Sequence, residues 1–466
     1  MEIRQLRLQQ QAGIDFINST TDGRAILDHG MSVGKTLEFI RWWMTRNQNV
    51  LTVVPIKSIP LVWEPELIRE GVDFSVITST KPYKVREALR KAPFVLVNYE
   101  KLRLPNVWKT VKAEGITKLY IIDECHRIKD SNSKTTRALY ELQKTAEGVV
   151  GGTGTLYPHD FMDIHGQMKV VDPFLFDYVD PNTGKKRQGI YKSAFIERYA
   201  DYWVMPGTQV RVVKKVNPLH AQELADKIAT RVHTVHTEDV VELPDEIDVI
   251  RNVELPAKIM NQYQKMEDEY IIRLQNEGVS VADNILTKII RLRQITSGYL
   301  PYTLDWESHK ERLHVVKAEA VYEILDEASF EPVIVFFNYT PEAEILADTI
   351  RKYDKTRNVY YLDGTHNDVL EWNKDDRGII IVQTDSGSES IDLTHAGLTI
   401  FFGYPKNVGK YKQARARTRR SNSEFKKVRY YHVLCKNTID EDVYEQMENN
   451  IDIIERFREL YLGRRA

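Results

Sequence analysis

The sequence predicts an α/β protein in which two parallel-sheet domains are separated by an α-rich insert bearing basic hairpins. Short apolar segments alternate with helical segments at the beginning and again near the end of the chain. This pattern is typical of parallel sheets covered by helices on both faces. The middle of the chain instead holds long helical segments and turn-rich basic stretches. We therefore expect three regions, residues 1–158, 159–313 and 314–466.

Length, charge and cysteine content limit the class of protein. The chain has 466 residues, too many for one core. Its two cysteines, Cys125 and Cys435, are far apart, which argues against a disulfide framework and favours a reducing compartment. The sequence contains neither a membrane-spanning apolar run nor a secretory signal, so we expect a cytoplasmic protein without a membrane partner. A net charge of −2 means that any nucleic-acid surface must be local.

Strands in the two outer regions are predicted from short apolar runs. In the first region these runs are 25–27, 50–55, 94–99, 119–122 and 149–155; in the last they are 332–337, 359–364, 378–383 and 398–402. Helical patterns flank them at 6–17, 58–67 and 439–462. Because ligands bind at the carboxyl ends of strands in such sheets, polar residues that follow a strand are the first candidates for a site.

The middle region is predicted from different signals. Residues 255–275 and 281–294 have helical patterns, and residues 202–213 indicate a hairpin around Pro206-Gly207. A turn at 180–187 has a basic tip, and two further lysines follow the hairpin.

Residues 27–36 end in Gly34-Lys35-Thr36, the end of a phosphate-binding loop. Gly34 would let the backbone close around a phosphate, Lys35 would supply positive charge, and the hydroxyl of Thr36 would share a Mg²⁺ ion. The following helix would direct its N-terminus at the anion. The loop departs from the usual spacing, because Gly30 lies four residues before Gly34 instead of five, and His29 holds the earlier place.

An acidic pair, Asp123-Glu124, follows the strand at 119–122. Asp123 could hold Mg²⁺, and Glu124 could orient and deprotonate an attacking water. A strand-end pair that caps a helix is the alternative, but the phosphate loop upstream favours the catalytic interpretation. His126 could couple this metal site to Thr153 and Thr155 at the end of the next strand.

Taken in order, these motifs resemble the Swi/Snf-like branch of superfamily 2 helicases, which are double-stranded DNA translocases. The resemblance spans nearly the whole chain and is strongest to small phage-encoded branch-migration helicases. The residues that carry it are Leu6-Arg7 with Gln10, 29–36, Val54-Pro55 with Trp63-Glu64, 98–100, 123–129, 153–155, 292–294, 362–364, 386–394, and Gln413-Ala414 with Arg417 and Arg420.

The resemblance implies two RecA-like domains that use ATP and Mg²⁺. The implied ATP-binding residues are Arg7, Gln10, Met31, Ser32, Val33, Gly34, Lys35, Thr36 and Gln413, and the implied metal ligands are Thr36 and Asp123. The implied catalytic residues are Lys35, Asp123, Glu124, Arg417 and Arg420, the last two as arginine fingers from the second domain.

The resemblance also implies DNA, duplex or branched, as the partner, with contacts mostly to phosphates because translocation ignores sequence. Family motifs place such contacts at Lys57, Ser58, Asn98, Tyr99, Asn338, Thr384 and Ser386. The insert's basic tips, Lys185-Lys186-Arg187 and Lys214-Lys215, could wedge a branch or grip duplex, or be ordinary basic loops. We expect a monomer in the cytoplasm of a bacterial or phage-infected cell; no protein partner is indicated.

Four functions remain open at this point. A translocase could remodel forks and junctions during replication, recombination or repair, or it could displace proteins such as a stalled polymerase from duplex DNA. An RNA helicase is compatible with 123–126 but disfavoured by 292–294 and 362–364. A non-enzymatic regulator is disfavoured because the lysine, the acidic pair and both arginines are present.

Overall fold

The computed structural model describes residues 4–449, apart from 21, 31–32, 47, 158–160, 182, 206, 210, 277–280, 305–306, 329, 385–390, 406–407 and 422. Side chains within 269–286 and 302–309 are not described. Three predicted site residues, Met31, Ser32 and Ser386, therefore lie outside the described part of the chain.

The chain divides into two compact units, Met1–Glu242 and Leu243–Ala466. Each unit contains one parallel sheet flanked by helices, which confirms the predicted pair of parallel-sheet domains. The α-rich insert is not confirmed, because the division falls inside the region 159–313. The first part of that region supplies a strand to one sheet and the second part supplies a strand to the other.

Unit 1 is built from eleven strands and eleven helices in the described residues. The strands are β1 Arg24–His29, β2 Val50–Val54, β3 Phe74–Val76, β4 Phe94–Asn98, β5 Leu119–Asp123, β6 Gly148–Thr153, β7 Tyr178–Val179, β8 Lys186–Arg187, β9 Ala200–Val204, β10 Arg211–Val216 and β11 Val232–Val235. The helices are α1 Leu8–Ser19, α2 Lys35–Met44, α3 Glu64–Arg69, α4 Pro82–Lys91, α5 Tyr99–Leu102, α6 Pro105–Glu114, α7 Lys134–Gln143, α8 Asp163–Val171, α9 Lys192–Tyr199, α10 Ala221–Ala229 and α11 Thr237–Val240.

The sheet of unit 1 has the strand order β11-β1-β6-β5-β2-β4-β3, and every pairing is parallel. Its strands alternate between two apolar clusters, so that Ile26 and Ile122 face one cluster while Leu27 and Ile121 face the other. Burial of both faces explains why the five inner strands of this sheet were readable as apolar runs. The order also makes β1, β6 and β5 neighbours, so their carboxyl ends meet.

Unit 2 has a six-stranded sheet in the order β12-β19-β18-β15-β17-β16, again with parallel pairings. The strands of unit 2 are β12 Asp245–Val253, β13 Tyr299–Leu304, β14 Glu307–Arg312, β15 Val333–Phe337, β16 Val359–Leu362, β17 Ile379–Gln383, β18 Leu398–Phe401 and β19 Lys427–Cys435. Of these, β13 and β14 pair with each other outside the six-stranded sheet. The helices of unit 2 are α12 Ala257–Asn276, α13 Val281–Thr296, α14 Val316–Glu327, α15 Thr340–Tyr353, α16 Val369–Trp372, α17 Val408–Thr418 and α18 Ile439–Asn449. The rest of the predicted terminal helix lies outside the described residues.

Two hairpins in unit 1 lie outside its main sheet. Strands β7 and β8 pair antiparallel over two residue pairs, and β9 pairs antiparallel with β10 with a register shift between Val213 and Lys215. The second hairpin confirms the one predicted within 202–213, and Pro206 of its predicted turn lies outside the described residues. In the described part of the chain, no helix is long and apolar enough to cross a membrane.

Candidate ATP site

The phosphate loop leaves β1 and enters α2 at Lys35. Gly34 caps this helix with a φ of 103°, which favours glycine, and a Cβ there would lie 2.2 Å from Nε2 of Gln10. The Lys35 ammonium donates hydrogen bonds to the carbonyls of His29, at 2.6 Å, and Gly30, at 3.1 Å. Thr36 is half-buried in the first turn of the helix. The loop thus has the lysine and hydroxyl that a nucleotide phosphate and its metal need.

Helix α1 packs against α2 and contacts the loop through Gln10. The buried Gln10 amide donates to the carbonyls of Val33 and Gly34, both at 3.3 Å, while its oxygen accepts from the backbone N–H of Arg7. The Arg7 side chain is exposed. Gln10 therefore supports the loop backbone in this structure, and its predicted role in reading adenine stays a prediction.

The acidic pair lies at the end of β5. Asp123 is only 7 % exposed, and one of its carboxylate oxygens accepts a hydrogen bond from Nε1 of Trp63 at 2.9 Å. Burial and the neighbouring Glu124 raise the pKa of Asp123 to about 6, although Trp63 and Lys35 oppose the rise. A buried carboxylate whose charge is this unfavourable is stabilised by a cation, so Asp123 and Thr36 fit a Mg²⁺ site.

Glu124 turns the chain out of the sheet. Its φ of 56° and ψ of 51° are left-handed, an uncommon conformation for a residue other than glycine, and one that clusters at functional sites. Oε2 of Glu124 lies 3.2 Å from Nδ1 of His126, and the carboxylate is partly open to solvent. Asp123 thus lies inside the protein while Glu124 can reach water.

His126 joins two strand ends, as its predicted coupling role requires. Besides Glu124, its Nδ1 lies 3.1 Å from Oγ1 of Thr153, which also accepts from the backbone N–H of Thr155 at 3.0 Å. The contact follows from strand order, because Asp123 is level with Gly152 and Asp28 with Thr153. The structure brings the three residues together; coupling itself stays a prediction.

Two predicted DNA contacts, Asn98 and Tyr99, lie in the interior of unit 1 instead of on its surface. The Asn98 side chain caps α5 by accepting from the backbone N–H of Lys101 at 2.8 Å. The Tyr99 hydroxyl donates to the backbone carbonyls of Asp123 and Glu124. The Tyr99 hydroxyl therefore holds the acidic turn in place, whereas Asn98 stabilises the start of α5. Of the two further DNA contacts that family motifs place in unit 1, Ser58 is buried and Lys57 is half-buried.

Both predicted arginine fingers belong to unit 2 and bind the same backbone carbonyl. Arg417 in α17 donates to the Ile391 carbonyl at 3.1 Å, and so does Arg420, just beyond that helix. Arg417 is 2 % exposed, whereas Arg420 keeps about a fifth of its side chain accessible and lies 3.7 Å from Asp392. Gln413 is half-buried on the same helix. The difference in burial makes Arg420 the better candidate for a ligand contact.

Arg415 fixes α17 to the edge of its sheet. Its guanidinium donates two hydrogen bonds to Asp248, at 2.8 and 2.9 Å, contacts Glu246 and Glu448, and stacks 4.1 Å from the centre of the Tyr430 ring. Asp248, Glu448 and the buried His432 could by themselves hold a metal. Because the Arg415 guanidinium contacts both Asp248 and Glu448, this cluster is an ion network centred on an arginine instead of a metal site.

We expect the Asp248 network to make unit 2 sensitive to acid. Burial alone would raise the pKa of Asp248, but hydrogen bonds from His432 and Arg415 outweigh it and bring the pKa to about 2. Since this value lies below the unfolded one, the carboxylate stabilises unit 2 above pH ~4, by about 1 kcal/mol once solvent screening of this exposed residue is allowed for, and that contribution is lost as the pH falls towards 2. The free energy of unfolding of Asp248→Asn should therefore be lower than wild type at pH 7 and converge with it near pH 2–3. A difference that stays constant across this range would contradict the assignment.

The remaining predicted DNA contacts fall into a buried pair and an exposed set. In unit 2, Asn338 and Thr384 are buried at the carboxyl ends of β15 and β17, where the Thr384 hydroxyl donates to the Asn338 amide oxygen at 3.3 Å. In unit 1, Lys185 and Lys186 are exposed on the β7–β8 hairpin and Arg187 is half-buried there.

Four residues that shape the site of unit 1 were given no site role from the sequence. Trp63 was noticed only as part of a motif, yet its indole orients Asp123 across 60 residues of sequence. His29 and Glu38, both buried, form a cluster with the half-buried His233 beside the phosphate loop. The available signal for this cluster was the acidic Glu38, which stands among the apolar residues near the start of α2.

A parallel sheet that presents a lysine-bearing loop after one strand and an acidic pair after the next strand but one is typical of nucleoside triphosphatases. Comparison with family models narrows this class. The SNF2-related domain matches residues 9–298, and the helicase conserved C-terminal domain matches residues 316–422. The chain belongs to the SNF2-related family and is an ATP-hydrolysing enzyme of the Swi/Snf-like branch of superfamily 2.

Known proteins similar to this chain include a phage protein and two larger proteins. Protein p41 of Acyrthosiphon pisum secondary endosymbiont phage 1 is 26% identical over 90% of both chains. The uncharacterized ATP-dependent helicase MG018 of Mycoplasma genitalium is 23% identical over 98% of this chain and 42% of its own length. The DNA repair and recombination protein RAD54 of Oryza sativa subsp. japonica is 21% identical over 95% of this chain and 51% of its own. The chain thus spans about half or less of these two larger proteins.

Proposed function

We propose that the chain is an ATP-driven DNA translocase that remodels branched DNA such as forks and junctions. Membership of the SNF2-related family supports the motor, and the similarity to a DNA repair and recombination protein supports DNA as its track. The observation that carries the branched-DNA proposal is the pair of basic hairpins outside the main sheet of unit 1.

In this proposal, residues of unit 1 bind and activate the nucleotide. Lys35 and the loop backbone would hold the phosphates, and Thr36 and Asp123 would hold Mg²⁺, which when bound neutralises phosphate charge. Glu124 would orient a water molecule and take its proton, with His126 keeping the carboxylate in place. Arg420 would supply positive charge to the transition state from unit 2, with Arg417 supporting the backbone beside it.

The two hairpins differ in how much positive charge they can offer to DNA. On β7–β8, Lys186 lies 3.2 Å from Asp177 and Arg187 lies 3.5 Å from Asp180, so acidic neighbours partly neutralise the tip. On β9–β10, Lys214 and Lys215 are exposed. The second hairpin is therefore the stronger candidate for a phosphate contact.

Apolar exposure also favours the β9–β10 hairpin. Trp203 is 41 % exposed, Val204 and Met205 are similarly open, and the Arg211 guanidinium lies 5.0 Å from the centre of the Tyr202 ring. Base stacking on aromatic rings is tolerant of sequence and is available only where bases are unpaired, as at a branch point. An exposed tryptophan beside two lysines therefore suits a branch better than uninterrupted duplex.

We expect alanine at Lys214 and Lys215 to reduce activity on a junction more than basal ATP hydrolysis, and alanine at 185–187 to do so to a smaller degree. The logarithm of DNA affinity falls with the logarithm of salt concentration, and each lost phosphate contact should make this slope shallower by about 0.9. Alanine at Lys84 and Lys91, exposed on α4, removes the same charge elsewhere in unit 1 and is the matched control. An equal effect on junction activity and basal ATPase would contradict the hairpin role.

ATPase measurements with single-stranded DNA, duplex, a synthetic four-way junction and RNA, together with a strand-separation assay, test the function as a whole. Junction-specific turnover with separation supports the proposal. Stimulation by duplex without separation would instead select the alternative, a translocase that displaces proteins from duplex DNA. Dependence on RNA would reject both.

A further inference from the structure

Three polar side chains, two of them fully buried and one half-buried, form a cluster directly beside the phosphate loop. His29 ends β1, Glu38 lies in the first turn of α2, and His233 lies on β11. Nδ1 of His29 is 2.9 Å from Oε2 of Glu38, and Nε2 of His29 is 2.8 Å from Nδ1 of His233. His29 and Glu38 are fully buried. One imidazole therefore connects the strand before the loop, the helix after it and the neighbouring strand.

Electrostatics makes this cluster more than a chance contact. In the described part of the chain, neither the Glu38 carboxylate nor Nδ1 of His29 has a hydrogen-bond partner elsewhere, and 2.9 Å separates the two groups. A buried carboxylate without a partner is strongly unfavourable. Glu38 and His29 therefore hold each other in place across the two ends of the loop.

Backbone contacts connect the cluster to the phosphate-binding atoms. The His29 carbonyl accepts from the Lys35 ammonium, and the backbone N–H of Gly30 donates to the Val235 carbonyl, just beyond His233, at 2.8 Å. Strand β11 thus fixes the start of the loop as well as the cluster.

Helix α1 covers the cluster and leaves it little room to move. A Cβ at Gly13 would lie 2.8 Å from both Oε2 of Glu38 and Cε1 of His29. Three elements, α1, α2 and β11, therefore enclose His29 at the point where the chain leaves β1.

We propose that His29, Glu38 and His233 are positioning residues that hold the phosphate loop in its nucleotide-binding conformation. The loop has one residue fewer between its glycines than the usual pattern, and its backbone N–H groups must converge on the phosphates. A cluster that joins both ends of the loop keeps these donors preorganised and so lowers the entropic cost of binding. Its loss should weaken nucleotide binding more than it slows hydrolysis of bound nucleotide.

The test is equilibrium binding of ADP carrying a fluorescent ribose label to the full chain, combined with ATPase kinetics. We expect His29→Ala to raise the Kd for ADP and the KM for ATP about five- to thirtyfold, while kcat at saturating ATP stays within about threefold. His29→Asn can keep a polar atom near the position of Nδ1 and should recover part of the affinity.

The matched control is His165→Ala. His165 is an equally buried histidine of unit 1 that contacts the Gly189 carbonyl at 3.1 Å and is not part of the cluster. We expect it to lower stability without changing the Kd for ADP.

If His29→Ala does not fold, His233→Ala removes one contact and leaves the buried pair, and it should raise the Kd severalfold. Unchanged ADP affinity in a folded His29 or His233 variant, or an equal loss in the His165 control, would overturn the proposal. Because ADP binding needs no DNA, this result is independent of the proposed track.

Discussion

Glu124→Gln is expected to reduce ATP turnover by about two to four orders of magnitude while leaving nucleotide affinity nearly unchanged. The substitution preserves the shape of the side chain and its place beside His126 but removes the group that would take a proton from water. Glu124 occupies a left-handed conformation at the end of β5, and glutamine at this position meets the same backbone requirement. Turnover at saturating ATP, with and without DNA, is the measurement.

Lys35→Ala should abolish hydrolysis by a different route, since it removes the charge that would bind phosphate. Here the Kd for nucleotide should rise as well, which separates the two roles. Glu141→Gln is the control, because Glu141 is a carboxylate of the same unit whose partners, Lys112 and Lys144, are surface lysines. Near-normal ATPase activity in both Glu124→Gln and Lys35→Ala would reject the catalytic assignment.

Arg420→Ala is expected to lower turnover about a thousandfold or more with little change in the Kd for ADP. An arginine that stabilises transition-state charge affects kcat and not the binding of product. Arg417→Ala should act differently, because its guanidinium is buried and supports the Ile391 carbonyl, so loss of stability should accompany any loss of rate.

Arg419→Ala is the matched control for the finger assignment. Arg419 is adjacent in sequence and carries the same charge, but it binds the Pro244 carbonyl and Glu246 at the edge of unit 2. We expect its turnover to remain within a few-fold of wild type. If Arg420→Ala lost nucleotide binding instead of turnover, Arg420 would be a ground-state ligand and the finger role would be wrong.

Most inner strands were predictable because they are apolar runs, and the polar residues that follow such runs were therefore predictable as site candidates. The inner strand β19 was not predicted, because Arg429 and His432 interrupt its apolar pattern. Of the edge strands, β16 was predicted from its apolar run, whereas β3, β11 and β12 were not. Strand β11 carries His233 and Thr234, and most residues of β12 are exposed, so both read as parts of an insert. An edge strand is hydrogen-bonded to another strand on one side only, and many of its side chains face solvent, so its sequence lacks an apolar run. The strands β11 and β12 are therefore recognised only by their pairing with β1 and β19.

By itself, the sequence determined the chemistry of unit 1: a lysine and a threonine after one apolar strand, an acidic pair after another, and a threonine after a third. Each is a local signal, readable from a few neighbouring residues. Only the tertiary structure decided that β1, β6 and β5 are neighbours, that Trp63 binds Asp123, that Tyr99 lies inside, and that His233 reaches His29 across 204 residues. Such contacts depend on how parallel strands are ordered in the sheet, and a chain can order the same apolar strands in several ways, so no short pattern encodes them.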